Sequence, residues 1–338
     1  MKTIKKPRIT FFCRIKNKKA LRQNLFYAQD LDILSGIDPE LVIATKWGEI
    51  KYSSDVIFIW WWTYAFVPVL LGRLLGKRVI ITGTFNYEAP GSPNDFSMRP
   101  AWQRMLIWIS ARCASTNIFV SKREFDIFNE KLQFSNIEYI PHGVYAENYI
   151  PVYERNSDFL LTISWLEKSN LQRKCVYTSV DALATLRERG YDLRLVIAGR
   201  SGDAELELKE YIKAANLESH IEVLVDITET KKIELLSSCK IYLQPTIYEG
   251  FGVAIAEAMS CGCAIVTSDA GEVPNVVGDA AVVLDKTTPS TIAEAVVDLI
   301  NDPHDYEKYQ RKARQRLTDL FLVERRRAAI VDLLERTV

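Results

Sequence analysis

The stretch IYLQPTIYEGFGVAIAEAMSCGCAIVTS, residues 241–268, decides the fold. Apolar β-formers from Ile241 to Leu243 run into a proline, a tyrosine and two glycines. A small-residue helical pattern follows from Val253 to Ser260, then a second apolar run from Cys263 to Val266. The order is strand, tight turn, helix, strand. Gly250 and Gly252 permit backbone angles that other residues resist, so the free N–H groups opening the helix can close on an anion. Glu249 and Glu257 stand eight residues apart on either side of that helix start. Carboxylates repel an anion but accept hydrogen bonds well, so this pair suits the hydroxyls of something attached to one.

Strand and helix patterns alternate outward from this segment in both directions. The first half reads Ile9–Cys13, a helix over about 20–34, Leu41–Ala44, Val56–Trp60, a helix from Tyr64 to Leu75, Val79–Thr82, a helix over about 99–113, Thr116–Val120, Lys122–Lys131 and Ile137–Ile140. Alternation of this kind predicts an α/β architecture of doubly wound parallel sheets with helices on both faces. The pattern pauses between Pro141 and Asp158, and a second series begins at Phe159. This predicts two Rossmann-like domains, residues 1–150 and 151–304, followed by an Arg-rich amphipathic helix over 305–338.

Three further stretches fall in order along the chain: VSKREFDIF from Val120, IPHGV from Ile140, and LTISWLEKSNLQRKCVYTSVDALATLRERGYDLRLVIAGR from Leu161 to Arg200. SDAGEVPNVVGDAAVVLD continues the opening stretch to Asp285. Together these motifs resemble retaining glycosyltransferases of family 4, also called group 1. The resemblance is strong over roughly residues 115–300 and faint before them. It implies the GT-B fold, two Rossmann-like domains with a cleft between them, and a last helix packed back on the first domain. It also implies an N-terminal acceptor-binding domain and a C-terminal domain for a UDP- or GDP-linked sugar. Glu249 would hold hydroxyls of the transferred sugar and Glu257 those of the nucleotide ribose, with Gly250, Phe251, Gly252 and Val253 at the helix start.

Arg173 and Lys174 occupy the place of the family's basic residue before Gly, and Cys175 replaces that Gly. The resemblance therefore assigns the diphosphate to Arg173 and Lys174. Another Arg common in the family is absent, since Ser164 or Trp165 stands there, and Arg200 is a weaker candidate. The expected activity is a retaining, metal-independent hexosyl transfer to a glycan or lipid-linked acceptor, as in polysaccharide biosynthesis, with no cofactor. A nucleotide-sugar epimerase and a non-catalytic glycosyltransferase-like subunit are the alternatives. Gly250–Ile255 imitates a dinucleotide fingerprint but has Ile at its third glycine, which argues against a dehydrogenase.

Departures concentrate in the first half. Arg14 to Lys18 replace the family's glycine-rich turn, and the loop from Thr82 to Phe96 lacks its usual His, leaving Asn86 or Tyr87 to approach the sugar. Trp60, Trp61, Trp62 and Tyr64 read as core aromatics, with sugar stacking or lipid contact as the alternative. The chain's one D-x-D, Asp30-Leu31-Asp32, lies on an amphipathic helix and reads as a solvated face, not a metal site. His142, His220 and His304 lie on loops or element ends and receive no catalytic role.

Composition agrees with a globular protein: 48% of the 338 residues are apolar, 25% are charged, and formal charge is balanced. Nothing in that balance favours nucleic acid. Nine Lys or Arg and no acid fall between Lys2 and Arg22, either a solvated basic face or a patch toward anionic lipid or a phosphate-bearing acceptor. The six cysteines lack zinc-site spacing and read as reduced, mostly buried thiols. The uncharged run from Val56 to Gly72 is short for a membrane span and divides into a strand and a helix. A cytoplasmic location follows as the expectation, with peripheral association at the inner face of the cell membrane as its variant.

Overall fold

The structure, a computed structural model, describes residues 6–90, 92 and 95–336. Two compact units emerge. Among the described residues, one holds 6–89, 95–143 and 323–336, and the other holds 144–322 with 90 and 92.

The first unit is built on β1 (Ile9–Cys13), β2 (Val42–Ala44), β3 (Val56–Trp60), β4 (Arg78–Gly83), β5 (Thr116–Phe119) and β6 (Ile137–Tyr139). All pair in parallel in the order β2-β1-β3-β4-β5-β6. β1 and β3 are buried at every position, as continuous apolar runs must be when helices cover both faces of a sheet. The helices are α1 (Lys19–Gln23), α2 (Leu25–Ile37), α3 (Phe66–Leu74), α4 (Ala101–Cys113) and α5 (Lys122–Asp126). The helix expected over 20–34 is thus two, because Asn24 adopts an extended backbone (φ −105°, ψ 119°) between them. The uncharged run from Val56 also divides as expected. Among the described residues, no helix is long and apolar enough to cross a membrane.

The second unit repeats the scheme with β7 (Phe159–Ile163), β8 (Arg194–Gly199), β9 (Ile221–Val225), β10 (Ile241–Gln244), β11 (Ala264–Ser268) and β12 (Val282–Leu284). Their parallel order is β12-β11-β10-β7-β8-β9. The chain winds outward from β7 on one side and from β10 on the other, so the switch point lies between these two strands. Open α/β sheets take ligands at the carboxyl ends of strands there. The covering helices are α6 (Lys168–Arg173), α7 (Val176–Glu188), α8 (Glu205–Ala214), α9 (Glu229–Ser238), α10 (Val253–Ser260), α11 (Val273–Val277), α12 (Pro289–Asn301) and α13 (Pro303–Leu320). Pro303 follows the end of α12 at Asn301. It also opens α13, with the Asp302 carboxylate accepting from the His304 and Asp305 N–H groups.

The single Arg-rich helix expected from residue 305 is two helices. α13 ends at Leu320, and α14 (Val323–Glu335) belongs to the first unit. The break is pinned inside the second unit, where the Val144 N–H donates to the Phe321 carbonyl at 2.8 Å.

Within the first unit α14 is held by an internal ion pair. Arg326 is 2% exposed and grips Asp30 of α2, with Nε to Oδ1 at 2.7 Å and Nη2 to Oδ2 at 2.9 Å. The Trp60 indole N–H donates to the same carboxylate at 3.0 Å. This corrects the reading of Asp30-Leu31-Asp32 as a solvated face: only Asp32 is exposed, paired with Arg22. An isolated buried carboxylate is prohibitively costly, so Asp30 is explained by Arg326, which lies 296 residues away.

His142 lies between elements, as read, but it is not a surface residue. It is buried, 3.1 Å from the Gln29 amide, and stacked on Trp60 with an interplanar angle of 2°. Burial, and then the Arg326 charge, hold its pKa well below the ordinary value, so it is neutral at physiological pH. Trp60 and Trp62 are core residues, as read, whereas Tyr64 is exposed. Tyr87 packs its ring against Phe96 and Phe128.

Candidate active site

Lys174 and Glu249 reach the same point from opposite sides of the β7/β10 switch. α6 ends at Arg173, and Cys175 then takes a left-handed backbone (φ 49°, ψ 41°) to start α7 in a new direction. That conformation is what a glycine would supply without strain, which accounts for the family's Gly at this position. The turn directs Lys174 under the sheet edge. Its ammonium donates to the Ile163 carbonyl at 2.9 Å and to Gln244 Oε1 at 3.3 Å, at the carboxyl ends of β7 and β10. Glu249 Oε1 lies 3.9 Å from that ammonium, beyond hydrogen-bond reach, so the third ammonium donor has no hydrogen-bond partner among the described residues.

Arg173 completes the cluster. Its Nη1 lies 2.7 Å from Glu249 Oε1 and 2.8 Å from the Tyr248 carbonyl, and its Nη2 meets Asn170 at 3.0 Å. Gln244 donates to Glu249 Oε1 at 3.0 Å and accepts from the Tyr242 hydroxyl at 2.7 Å. The carboxylate is therefore aimed by two side chains, Arg173 and Gln244, that meet at one oxygen. Its backbone is fixed as well: the Glu272 N–H donates to the Glu249 carbonyl at 2.9 Å. That approach needs Gly271, at φ 60°, since a Cβ there would lie 2.3 Å from the Glu249 carbonyl oxygen.

α10 occupies the residues read from the sequence. Gly252 caps it in the left-handed region (φ 91°), and no side chain bonds to the cap. The first N–H groups of the helix thus remain available, together with about half a positive charge from the aligned peptides. Phe251 is buried with its ring edge-on against Phe321.

Glu257 lies in the next turn and is 4% exposed. It lies outside the first turn of α10, where an acid would complement the helix dipole. Its Oε1 is held by Lys232 of α9 at 2.6 Å and by the Tyr149 hydroxyl at 3.2 Å, and both also meet Glu229. Among the described residues, the second oxygen of Glu257 has no hydrogen-bond partner. Burial lowers the Lys232 pKa, but Glu257 and Glu229 outweigh that effect, and it lies above its ordinary value.

The two clusters share one field. Burial is the main cause that brings Lys174 down from 10.5 to about 8; Glu249 and Glu257 oppose it, and Arg173 assists. The unfolded chain therefore holds an extra proton between about pH 8 and 10.5, and stability from this residue rises with pH across that window. A phosphate-binding role requires the ammonium. We therefore expect kcat/KM for the donor to fall as pH rises through about 8, and this limb to move to higher pH in Lys174→Arg. A flat profile through pH 9.5, an upper limit of about 1.5 units past that value, would separate Lys174 from the reaction.

Of the residues expected from the sequence, Arg173, Lys174 and Glu249 meet at the carboxyl ends of β7 and β10, whereas Glu257 is held separately by Lys232 and Tyr149. Arg200, the weaker candidate, instead lies over the Trp165 ring at 5.1 Å. Lys232, Tyr149 and Gln244 were missed. Gln244 carried a faint signal, as a polar residue closing an apolar strand. Lys232 carried none, since a lysine on a polar helix is ordinarily solvated.

Residues 168–316 match the family model described as glycosyl transferases group 1. With the two parallel six-stranded sheets, this gives a segment similar to group 1 glycosyltransferases on a chain whose fold is that of GT-B glycosyltransferases. Among curated proteins it is similar to the gpi3 subunit of phosphatidylinositol N-acetylglucosaminyltransferase from Schizosaccharomyces pombe. That match is 23% identical over 207 residues, 60% of this chain and 45% of the relative. It is also similar to the GDP-mannose:cellobiosyl-diphosphopolyprenol alpha-mannosyltransferase of Xanthomonas campestris, 25% identical over 221 residues, 64% of this chain and 56% of the relative. The chain spans about half the length of the curated relatives it matches. Among solved structures, HepE of Anabaena in complex with UDP superposes with a TM-score of 0.80 over 97% of this chain and 100% of that one, at 15% identity. Sucrose-phosphate synthase from Thermosynechococcus elongatus gives 0.70 over 95% and 80%, at 16% identity.

Proposed function

We propose that the second unit binds a nucleotide-diphosphate sugar and that the protein transfers its hexose, with retention and without a metal, to a glycan or lipid-linked acceptor. The observation that carries this is the convergence of Arg173, Lys174 and Glu249 at the β7/β10 switch, beside the uncapped start of α10. Breaking the anomeric bond leaves added charge on the nucleoside diphosphate. Two full cations and a helix terminus are placed to stabilise it, which is the work a divalent ion does elsewhere. Arg173 keeps donors beyond the three contacts it makes, and Lys174 keeps one.

Glu249, oriented by Arg173 and Gln244, accepts from vicinal hydroxyls of the sugar. Glu257 accepts from the ribose through its second oxygen. No side chain serves as a covalent nucleophile; the acceptor attacks from the face the diphosphate leaves, and a leaving-group oxygen takes the acceptor proton. The printed names of the relatives support the donor class, with GDP-mannose in one and UDP bound in the HepE structure. A lipid-bearing acceptor is supported in the same way by the diphosphopolyprenol and phosphatidylinositol names. A cytoplasmic site and a place in polysaccharide synthesis accord with such substrates.

A thermal-shift screen of UDP, GDP and their sugars, with a chelator present, tests this. One nucleotide is expected to raise the melting temperature of the second unit. No shift with any of them would favour a non-catalytic subunit. Lys232→Met checks the ribose assignment: donor KM is expected to rise about tenfold with little change in kcat, because Glu257 lies on the nucleoside and not at the reacting carbon. Steady-state kinetics showing kcat lost at constant KM would place Glu257 elsewhere.

A further inference from the structure

Two cations and one carboxylate meet at the β7/β10 switch, and the carboxylate is in contact with only one of them. Arg173 Nη1 lies 2.7 Å from Glu249 Oε1, whereas the Lys174 ammonium stops 3.9 Å from the same oxygen. Both Lys174 and Glu249 are largely buried, where opposite charges attract more strongly than in water, so the gap between them requires a cause. The Gln244 amide supplies it. Its Oε1 accepts from Lys174 at 3.3 Å, and its Nε2 donates to Glu249 Oε1 at 3.0 Å. We propose that Gln244 is a positioning residue that acts as a neutral spacer: it keeps Lys174 and Glu249 from closing into a direct ion pair, so that Lys174 remains the cation with no carboxylate in contact.

The strand places the spacer. In β10, Ile241 and Leu243 enter the apolar core on one face of the sheet, and alternation turns Tyr242 and Gln244 to the other. Both are fully buried. The Tyr242 hydroxyl donates to Gln244 Oε1 at 2.7 Å. Burial, and then the Glu257 and Glu249 charges, hold its pKa well above the ordinary value, so it stays a donor. Gln244 Oε1 thus faces two donors, which turns Nε2 toward Glu249. The reversed amide would set N–H groups against an ammonium and a carbonyl against a carboxylate. The backbone is tied as well, since Thr267 Oγ1 of β11 donates to the Gln244 carbonyl at 2.9 Å. An amide meets both demands of the position: it accepts from a cation, donates to an anion and carries no charge of its own.

The consequence for transfer rests on the donor site proposed above, while the spacer itself does not. With Gln244 in place, Glu249 pairs with Arg173, and the Lys174 charge is kept for the diphosphate. Without it, one carboxylate would be shared by both cations, and the donor would have to break an ion pair to reach the ammonium. The charged groups that face Lys174 are Arg173 beside it, Glu249 beyond β10 and Glu257 on α10, with the neutral Tyr242 phenol behind Gln244. They fix the sign of the test. A residue that is only an acceptor for the ammonium lowers the Lys174 pKa when it is lost. A spacer raises it, because Glu249 then closes, and contact with a carboxylate favours the charged form more than an amide does.

Carbon–proton NMR spectra of the full chain, labelled at the lysine ε carbons, read this titration with no nucleotide or sugar present. The Lys174 signal is the one missing from Lys174→Arg. From about 8 in the native protein, its pKa is expected to rise by at least about one pH unit in Gln244→Met, which keeps the length of glutamine without its hydrogen bonds. Gln244→Leu, equally unable to hydrogen-bond, is expected to do the same. Gln244→Met/Glu249→Gln is expected to abolish the rise, since no carboxylate remains to close. In the donor reaction, Gln244→Met should lower kcat about tenfold and carry the alkaline limb of kcat/KM upward with the Lys174 pKa. A Lys174 pKa that stays or falls in both single variants, or a rise that survives Glu249→Gln, overturns the spacer. Native kinetics in Gln244→Met despite the rise would overturn its part in transfer. A native protein that binds no nucleotide would end the donor-site reading, and the spectra would still decide the spacer.

Discussion

Lys174→Ala is expected to turn over about a hundredfold more slowly than the native protein, the loss of roughly 3 kcal/mol from one preorganised donor to developing charge. The argument is geometric. Its ammonium is fixed by the Ile163 carbonyl and by Gln244, so no reorganisation is needed when charge develops on the diphosphate. Most of the effect should fall on kcat, because the interaction strengthens as the anomeric bond breaks. Lys174→Arg should recover part of the loss, since charge is restored while the point geometry of the ammonium is not. Turnover unchanged in Lys174→Ala would remove this residue from the chemistry.

The largest effect on stability is expected at Arg326. Arg326→Met leaves the Asp30 carboxylate buried without its guanidinium partner, a change that costs about 3–5 kcal/mol. For a unit of this size, that corresponds to a melting temperature lower by roughly 10 °C, measurable by calorimetry on the first unit's transition. Adding Asp30→Leu should return much of the loss, because a buried ion pair replaced by apolar residues of similar volume is often close to neutral. A full loss that persists in the double variant would mean that Arg326 acts through the Ile140 and Pro141 carbonyls it also binds.

These two residues also mark what sequence reasoning reaches. Lys174 was legible because its neighbours are local: an apolar strand, a turn and a helix lie within a few residues, and the motif fixes their order. The same holds for α10, whose limits at Val253 and Ser260 were read directly, since its glycine cap, small residues and flanking apolar runs are all local signals. Arg326 and Asp30 were not legible. Each sits in a charged helical pattern that periodicity assigns to solvent, and only the tertiary fold brings them together. Lys232 was hidden for the same reason, because its partner Glu257 lies on a different helix. The break in the last helix was missed because Phe321 and Leu322 continue an amphipathic pattern; what stops α13 is the hydrogen bond from the remote Val144.

Calorimetric titration of the native protein with UDP and GDP, in the presence of EDTA, tests the central claim most directly. Saturable binding of one of them is expected, weakened at least about tenfold in Lys174→Ala, where the charge-assisted contact to the diphosphate is gone. Binding that appears only when a divalent ion is added, or that Lys174→Ala leaves intact, would contradict a site in which Arg173, Lys174 and the start of α10 carry the diphosphate.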